Sequence, residues 1–231
     1  MSALVSLLAG YVVGLINPAY LIGKRKGVNI KEEGSGNAGG SNALITMGKG
    51  IGVFCMLFDI AKAFAIIRLM EYVFPDSELV FSAAMVGVIL GHMFPFYLRF
   101  NGGKGLACLG GAILAFQPMV FLGMLTFELA VALITNYLCF VPISAALLFP
   151  AIYWVITGNT AGTLLMLVAS AAIVMKHIEN LVRIKNGTEM HFNYLWKKDA
   201  ETNRVMTNAG MLTQEDDDET NSEPENAEQS H

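Results

Sequence analysis

Long apolar segments follow one another along this chain and constrain its fold more than any other feature. They lie near residues 2–23, 51–73, 79–98, 106–117, 119–136, 139–157 and 160–176. A helix needs about 20 apolar residues to cross the hydrocarbon core of a bilayer, and only helices and closed barrels satisfy their backbone hydrogen bonds there. With 54% hydrophobic and 15% charged residues, the chain is predicted to be an all-α polytopic membrane helix bundle. We expect about seven transmembrane helices; a count of five or six stays open, because the fourth segment is short.

The distribution of basic residues predicts the orientation, because cytoplasmic connections are enriched in lysine and arginine. The acidic segment at 74–78 has no basic residue, whereas the first, third and last connections are basic: Lys24, Arg25, Lys26, Lys31, Lys49, Arg99, Lys104, Lys176, Arg183, Lys185, Lys197, Lys198 and Arg204. We therefore expect the N-terminus outside and the C-terminus in the cytoplasm. The first segment lacks a positive region before it and is interpreted as a retained anchor.

Two regions are distinguished by composition. Residues 1–198 are interpreted as the membrane-embedded domain, and residues 199–231 as an acidic cytoplasmic tail that we expect to be disordered. The tail accounts for the formal net charge of −4, so this charge gives no indication of nucleic-acid binding. The three cysteines, Cys55, Cys108 and Cys139, are interpreted as apolar packing residues, and no metal or organic cofactor is expected.

Two glycine-rich polar tracts interrupt the apolar segments: GSGNAGGSN at 34–42 and NGGKG at 101–105. Irregular backbone beside hydrocarbon is tolerated only where protein buries it or where it lines a wet cavity. Glycines let backbone N–H groups turn inward together and bind anions, phosphate above all, and the Lys104 ammonium suits a phosphate oxygen. The tracts predict a phosphate site at the membrane interface. The alternative for Lys104 is an ammonium that extends to the interface without a ligand.

A third polar segment begins at the end of the last apolar stretch. His177, Asn180 and Arg183 follow at intervals of three, which makes them neighbours on one helix face, and Glu189 comes after them. Such a stripe could bind an anion and transfer a proton; the alternative is an amphipathic helix on the membrane surface. His191 lies outside the stripe and is expected to be solvated.

Two ionisable residues of the second segment also require an explanation. Asp59 and Lys62 stand three apart and can pair on one helix face. Charged groups in membrane spans are costly and are therefore candidates for function. The pair either fixes helix packing or lines the site.

The three polar segments together resemble the PlsY family of bacterial membrane acyltransferases. The resemblance covers roughly residues 1–190. A first motif is matched by Gly34, Ser35, Gly36, Asn37, Gly39 and Asn42; a second by Gly91, His92, Phe100, Gly102, Gly103, Lys104 and Gly105; a third by His177, Asn180, Arg183, Gly187, Thr188 and Glu189. Asp59 and Lys62 also fit the family's DxxK pattern.

The resemblance implies a seven-helix membrane enzyme of phospholipid biosynthesis in the bacterial inner (plasma) membrane, with its active site facing the cytoplasm. The implied reaction transfers an acyl group from acyl-phosphate to glycerol 3-phosphate and gives lysophosphatidic acid and phosphate. The expected partners are these phosphate substrates and membrane lipid, without nucleic acid, acyl-CoA or acyl-carrier protein. The implied catalytic residues are Lys104, His177, Asn180 and Ser35; the implied substrate-binding residues are Gly34, Gly36, Asn37, Gly39, Ser41, Asn42, His92, Gly102, Gly103, Gly105, Arg183 and Glu189.

Several positions depart from the family pattern. Ile45 and Asn136 stand where the family carries arginines, and Lys31 replaces another arginine. Because arginine is well suited to bidentate contacts with phosphate, these changes motivate a second hypothesis of an acyltransferase with another acceptor or donor. A third hypothesis is a non-catalytic anion-binding membrane protein or transporter, although a transporter would favour paired repeats and the sequence contains none.

Overall fold

The computed structural model describes residues 1–195 and 198–211, and all regular structure in this part of the chain is helical. The α-helices are α1 (Ser2–Gly14), α2 (Pro18–Lys26), α3 (Gly40–Met47), α4 (Lys49–Val73), α5 (Val80–Met93), α6 (Leu106–Phe116), α7 (Pro118–Thr135), α8 (Phe140–Thr157), α9 (Thr160–Lys185) and α10 (Lys198–Asn208). Short 3-10 turns lie at Phe96–Leu98 and Phe192–Leu195. The predicted all-helical membrane fold is confirmed.

Six helical stretches among the described residues are long and apolar enough to cross a membrane. They are Ser2–Lys26, Lys49–Val73, Val80–Leu98, Pro118–Thr135, Phe140–Thr157 and Thr160–Lys185. A seventh apolar helix, Leu106–Phe116, is shorter; at 1.5 Å per residue it spans only about 17 Å. Each predicted apolar segment therefore corresponds to one of these helices, whereas the count of seven full spans and the orientation of the termini stay predictions.

The first span is broken into two helices around Asn17. The Asn17 side chain accepts a hydrogen bond from the Tyr20 amide over 2.9 Å and caps α2, while Pro18 occupies the first turn, where a missing N–H is tolerated. The same asparagine donates from Nδ2 to the Ala38 carbonyl over 2.8 Å, and its side chain is buried. The break thereby ties the first span to the first glycine-rich tract.

Glycines bring α1 and α5 into very close contact. A Cβ on Gly87 would lie 2.2 Å from the Leu7 carbonyl oxygen, and a Cβ on Gly91 would lie 2.1 Å from that of Tyr11. Small residues allow membrane helices to pack backbone against backbone in this way. The contact fixes the end of α5, where His92 follows Gly91.

The chain divides into two compact units. The first comprises residues 1–129 and 142–177, and the second comprises residues 130–141 together with the described residues from 178 onward. The core of the first unit includes the fully buried side chains Ile67, Met85, Ile89, Leu109, Phe149, Met166 and Ile173. A smaller apolar cluster in the same unit supports the first glycine-rich tract: Ala19, Ile30, Ala38, Ala43, Cys55 and Leu98.

Three features of the helices differ from the sequence predictions. Helix α3 has only eight residues and begins inside the first polar tract; α9 continues nine residues past the predicted end at 176, to Lys185. Helix α10, Lys198–Asn208, begins at the last residue assigned to the membrane-embedded domain and otherwise falls in the region interpreted as the acidic tail. Residues 212–231 of that tail lie outside the described residues, so the expectation of disorder there stays a prediction.

Candidate active site

Asn42 holds the first glycine loop, which we define as residues 27–39. Its side chain is fully buried. Its Oδ1 accepts from the Ser35 amide over 2.8 Å, and its Nδ2 donates to the carbonyls of Ile30 and Glu33, each over 2.9 Å. Both amide hydrogens are thus used within the protein. Asn42, which the resemblance implies to be substrate-binding, is placed as a support of the loop, and it leaves Ser35 exposed at the surface.

The start of α3, directly after the first loop, is well placed to bind an anion. The Gly36 and Gly39 amides donate to carbonyls of their own loop over 3.1 and 2.9 Å, so these two do not fit the predicted cradle of glycine amides. By contrast, Gly39 caps α3 without a side chain, and the first N–H groups of a helix, here from Gly40 and Ser41, have no acceptor within the helix. The helix dipole adds partial positive charge at this end.

The second glycine loop, residues 99–105, begins with two strained residues. Arg99 and Phe100 adopt positive φ angles of 52° and 58°, which non-glycine residues rarely do and which costs free energy. The Phe100 amide donates to the Pro95 carbonyl over 3.1 Å. This turn sends the chain back towards the end of α5, and such strain is often found at functional sites.

The loop then packs directly on the end of α5. The Gly102 and Gly103 amides donate to the carbonyls of Met93 and His92 over 2.9 and 3.1 Å. A Cβ on Gly103 would lie 2.0 Å from Nε2 of His92. The buried His92 ring therefore supports the loop from beneath, and the two glycine amides are engaged in holding it. Lys104, the next residue, is half-buried.

The two glycine loops meet. A Cβ on Gly39 would lie 3.9 Å from the Cα of Gly103. The Lys31 ammonium donates to the Asn101 carbonyl over 2.8 Å. Burial, and then the neighbouring charge of Lys176, lower the pKa of Lys31. The structure thus places the first and second motifs side by side, and Lys31, which was not among the predicted site residues, joins them.

Helix α9 reaches the second loop from the other side. Lys176 donates to Oδ1 of Asn101 over 3.1 Å, and a Cβ on Gly105 would lie 3.3 Å from the Ile173 side chain. His177 lies one helical turn after Ile173, and its Nδ1 is 2.8 Å from the Ile173 carbonyl oxygen. A carbonyl only accepts, so Nδ1 carries the proton and the lone pair of the neutral ring is on Nε2. His177 is buried.

Asp59 and Lys62 form a buried ion pair, and Lys62 also donates hydrogen bonds to backbone carbonyls at the break in the first span. Their charged atoms lie 2.6 Å apart. Lys62 donates to the Ile16 and Gly14 carbonyls over 2.6 and 3.2 Å and lies 3.2 Å from Nδ1 of His92. A charge inside a membrane protein is stable only when it is paired and hydrogen-bonded. These contacts favour the helix-packing interpretation of the pair over a site-lining one.

A group of potential metal ligands occurs in the same place. Potential ligand atoms of Asp59, His92 and Cys108 lie within 4.8 Å of one another, and all three residues are buried. The sequence spacing did not predict this group, because its members come from three helices. The Lys62 ammonium beside Asp59 and His92 already supplies positive charge there, so the donor set does not fit a divalent cation.

In the second unit, Glu189 joins the remaining residues of the third motif. Its Oε1 accepts from Nδ2 of Asn180 over 2.6 Å, and its Oε2 accepts from Nε of Arg183 over 2.7 Å. Asn180 is buried, whereas the Arg183 side chain is 39% exposed. Asn180 and Arg183 of the predicted stripe therefore form one connected cluster with the Glu189 carboxylate.

Two of the positions that depart from the family pattern have different surroundings. Ile45 exposes half of its surface on α3. Asn136 has a positive φ of 57°, a conformation that asparagine tolerates better than most residues. Its carbonyl accepts from the Phe192 amide over 2.6 Å, and its Oδ1 accepts from the Asn193 amide over 3.3 Å. Asn136 is thus a structural anchor in the second unit.

The expectation that His191 is solvated was wrong. Its Nδ1 lies 3.0 Å from Oε1 of Glu201, and its Nε2 lies 3.0 Å from the Tyr137 hydroxyl. The side chain is 23% exposed. Glu201 comes from α10, a helix that the sequence did not predict.

Comparison with known proteins agrees with the three motifs. The family described as Glycerol-3-phosphate acyltransferase matches residues 4–187. The glycerol-3-phosphate acyltransferase of Clostridioides difficile (strain 630) is 34% identical over 193 residues, covering 81% of this chain and 94% of that protein. That of Nitrosospira multiformis is 36% identical over 191 residues, covering 77% of this chain and 95% of that protein.

Solved structures give the same result. The crystal structure of PlsY (YgiH), an integral membrane glycerol 3-phosphate acyltransferase, in its glycerol 3-phosphate form matches with a TM-score of 0.77 and 30% identity, over 84% of this chain and 98% of that one. Its lysophosphatidic acid form matches with a TM-score of 0.73, over 84% and 97%. The resemblance drawn from the motifs is confirmed: the chain belongs to the glycerol-3-phosphate acyltransferase family of integral membrane enzymes.

Proposed function

We propose that this enzyme transfers an acyl group from acyl-phosphate to the first hydroxyl of glycerol 3-phosphate and releases lysophosphatidic acid and inorganic phosphate. The observation that carries the proposal is the meeting of the two glycine loops and α9 around Asn101, which Lys31 and Lys176 both contact. Three separate segments thereby bring two ammonium groups to the second loop, and Gly39, the N-cap of α3, approaches Gly103 of the same loop; two phosphate-bearing substrates require such a concentration of donors.

In the proposed reaction, the acceptor hydroxyl oxygen attacks the carbonyl carbon of the acyl-phosphate. A bond forms from that oxygen to the carbon, and the bond from the carbon to the phosphate oxygen breaks. Lys104 neutralises the departing phosphate, since charge stabilisation of this kind is usually the largest catalytic effect. Ser35, exposed on the first loop, adds a neutral hydrogen bond.

The hydroxyl proton has two candidate acceptors. The tautomer of His177 set by the Ile173 carbonyl leaves Nε2 as a base. The alternative base is a phosphate oxygen of the substrate, in which case His177 positions the acceptor. For Asn180, Arg183 and Glu189 the roles stay those that the resemblance implies: Asn180 orients a substrate hydroxyl or phosphate, and Arg183 and Glu189 bind substrate.

We further propose that the protein lies in the bacterial plasma membrane with its site facing the cytoplasm. Lys24, Arg25 and Lys26 form the exposed last turn of α2 next to the first glycine loop, which supports this orientation. Family membership favours the enzymatic hypothesis over an anion transporter.

The test is an assay of purified protein that follows phosphate release from acyl-phosphate with and without glycerol 3-phosphate. We expect acceptor-dependent release that is lost in Lys104→Ala and His177→Ala. Lys49→Ala, which removes an exposed charge at the start of α4, is the matched control and should keep wild-type rates. Unchanged release in both site variants contradicts the assigned roles, and release only with a different polyol phosphate supports the hypothesis of another acceptor.

A further inference from the structure

Helix α10 lies beyond the part of the chain that the family match covers, which ends at residue 187. It belongs to the second unit, as do Asn180, Arg183 and Glu189. Its contacts with that part of the third motif are hydrogen bonds to the backbone, not an apolar interface alone.

Arg204 on α10 holds the turn that carries Glu189. Its Nη1 donates to the Gly187 carbonyl over 2.8 Å, and its Nη2 donates to the Glu189 carbonyl over 2.7 Å. Asn208, one turn along, donates to the same Gly187 carbonyl over 2.8 Å. A planar guanidinium presents its donors in a fixed geometry. Arg204 therefore holds the carbonyls of Gly187 and Glu189 at a fixed distance from each other.

Glu201 orients that guanidinium. Its Oε2 accepts from Nε and Nη2 of Arg204 over 3.2 and 2.9 Å. Its two oxygens also contact the amide and Nδ1 of His191 over 3.2 and 3.0 Å. Burial opposes ionisation of the Glu201 carboxyl, but the hydrogen bonds from Arg204 and His191 outweigh it and lower the pKa. Arg204 is therefore a charge-paired, oriented donor.

The turn at residues 187–189 determines how Glu189 meets Asn180 and Arg183. The amides of Thr188 and Glu189 donate to the Arg183 carbonyl over 2.9 and 3.2 Å, and the Glu189 carboxylate receives Asn180 and Arg183. The Arg183 guanidinium pairs with Glu189 through Nε. The terminal nitrogens of a guanidinium that is held through Nε suit an anion.

We propose that Arg204 is a positioning residue for substrate binding: it fixes the 187–189 turn so that Glu189 holds Asn180 and Arg183 in the orientation that receives a substrate phosphate. This inference rests on the proposed function, which gives Asn180 and Arg183 contact with substrate. It assigns a role to a helix outside the matched part of the chain.

The experiment compares Arg204→Met with wild type in the phosphate-release assay. We expect the KM for glycerol 3-phosphate to rise about tenfold, equivalent to about 1.4 kcal/mol, with kcat within about threefold of wild type, because Arg204 touches no reacting atom. Arg204→Lys keeps the positive charge but cannot donate to both carbonyls in the same planar geometry, so its KM should lie between those of wild type and Arg204→Met. Lys185→Met, which removes an exposed charge at the end of α9, is the control and should keep the wild-type KM.

A second measurement separates this role from a general loss of structure. Hydrogen–deuterium exchange in Arg204→Met should accelerate in peptides covering residues 186–192 while those of α4 and α5 stay protected. Unchanged exchange, or a lower kcat at wild-type KM, overturns the positioning role. Wild-type protein without acceptor-dependent release refutes the proposed function and with it substrate positioning, whereas the exchange data still decide whether Arg204 holds the turn.

Discussion

Gly103 and His92 are in direct contact: the Gly103 amide donates to the His92 carbonyl, and the His92 ring fills the space that a Cβ on residue 103 would occupy. The second glycine loop is therefore not an open cradle of amides. It is a closely packed turn on the end of α5, and the His92 imidazole lies directly against Gly103. Because Lys104 directly follows Gly103, this contact also determines where the Lys104 backbone lies.

Gly103→Ala should lower kcat/KM on the order of 100-fold, because a new Cβ 2.0 Å from Nε2 of His92 must displace the loop, and displacements near 1 Å can cost that much. Gly50→Ala is the control, since nothing lies within 4 Å of a Cβ there. Steady-state kinetics of both variants provide the measurement. Equal rates in the two would show that the loop tolerates displacement.

Asn42→Ala should destabilise the first loop. It removes three hydrogen bonds, of which the one to Ile30 is buried and those to Ser35 and Glu33 are partly buried, and a buried group left unpaired costs about 1–3 kcal/mol. We expect a lower Tm in detergent and a higher KM for glycerol 3-phosphate. Thr46→Val serves as control, because the Thr46 hydroxyl donates to the Asn42 carbonyl within its own helix and not to the first loop as far as the structure describes it; a similar loss of Tm in the two variants would contradict the assigned support.

Much of the fold could be predicted because a bilayer requires long apolar helices. The break at Asn17 was predictable in principle, since an N-cap residue followed by proline is a helix start signal, but the surrounding apolar run concealed it. Helix α3 gives a weak signal because it begins with Gly40 and has no side-chain cap. Helix α9 extends past Lys176 because His177 and Asn180 are buried within the protein and do not mark its end.

The sequence identified the motif residues, but it did not distinguish those that support the loops from those that are accessible to a substrate. Asn42 and His92 match the family as well as Ser35 and Lys104 do, and nothing local in the sequence indicates that the first two are buried supports. Their partners, such as the Ile30 carbonyl, are backbone groups brought near by tertiary packing. Backbone acceptors have no sequence signature, so such roles become visible only in three dimensions.

Lys62→Met should be strongly destabilising. It leaves Asp59 buried without its ion-pair partner and removes the donor of the Ile16 and Gly14 carbonyls; breaking a buried pair costs about 3–5 kcal/mol. Arg68→Met, which breaks an exposed pair with Glu71, should cost less than about 1 kcal/mol. Thermal unfolding in one detergent compares them directly, and equal shifts would show that the buried pair is dispensable.

The contacts of α10 should depend on pH through Glu201. Its carboxyl has a pKa lowered from the usual 4.5, so the folded state favours the charged form. The stabilising contribution is present above pH 4.5 and is lost as the pH falls through the lower folded-state pKa. The difference in Tm between wild type and Glu201→Gln should therefore be largest near neutral pH and should shrink as the pH falls below 4.5. Glu179→Gln, at an exposed position on α9, should show little difference throughout; a Glu201→Gln difference that grows on acidification would contradict the assigned charge state.

Ile45→Arg should strengthen binding of glycerol 3-phosphate. Half of the Ile45 surface is exposed on α3, close after the helix start at Gly40 that we assign to phosphate, and the family pattern places arginine there. A charge-assisted hydrogen bond to phosphate contributes about 1.5–3 kcal/mol, so we expect the KM to fall about tenfold and to become more sensitive to salt. Ile45→Gln adds length without charge and should leave the KM nearly unchanged. An equal response of the two variants, or a KM that rises with arginine, would mean that this face of α3 does not meet the acceptor, and would favour the hypothesis of a different one.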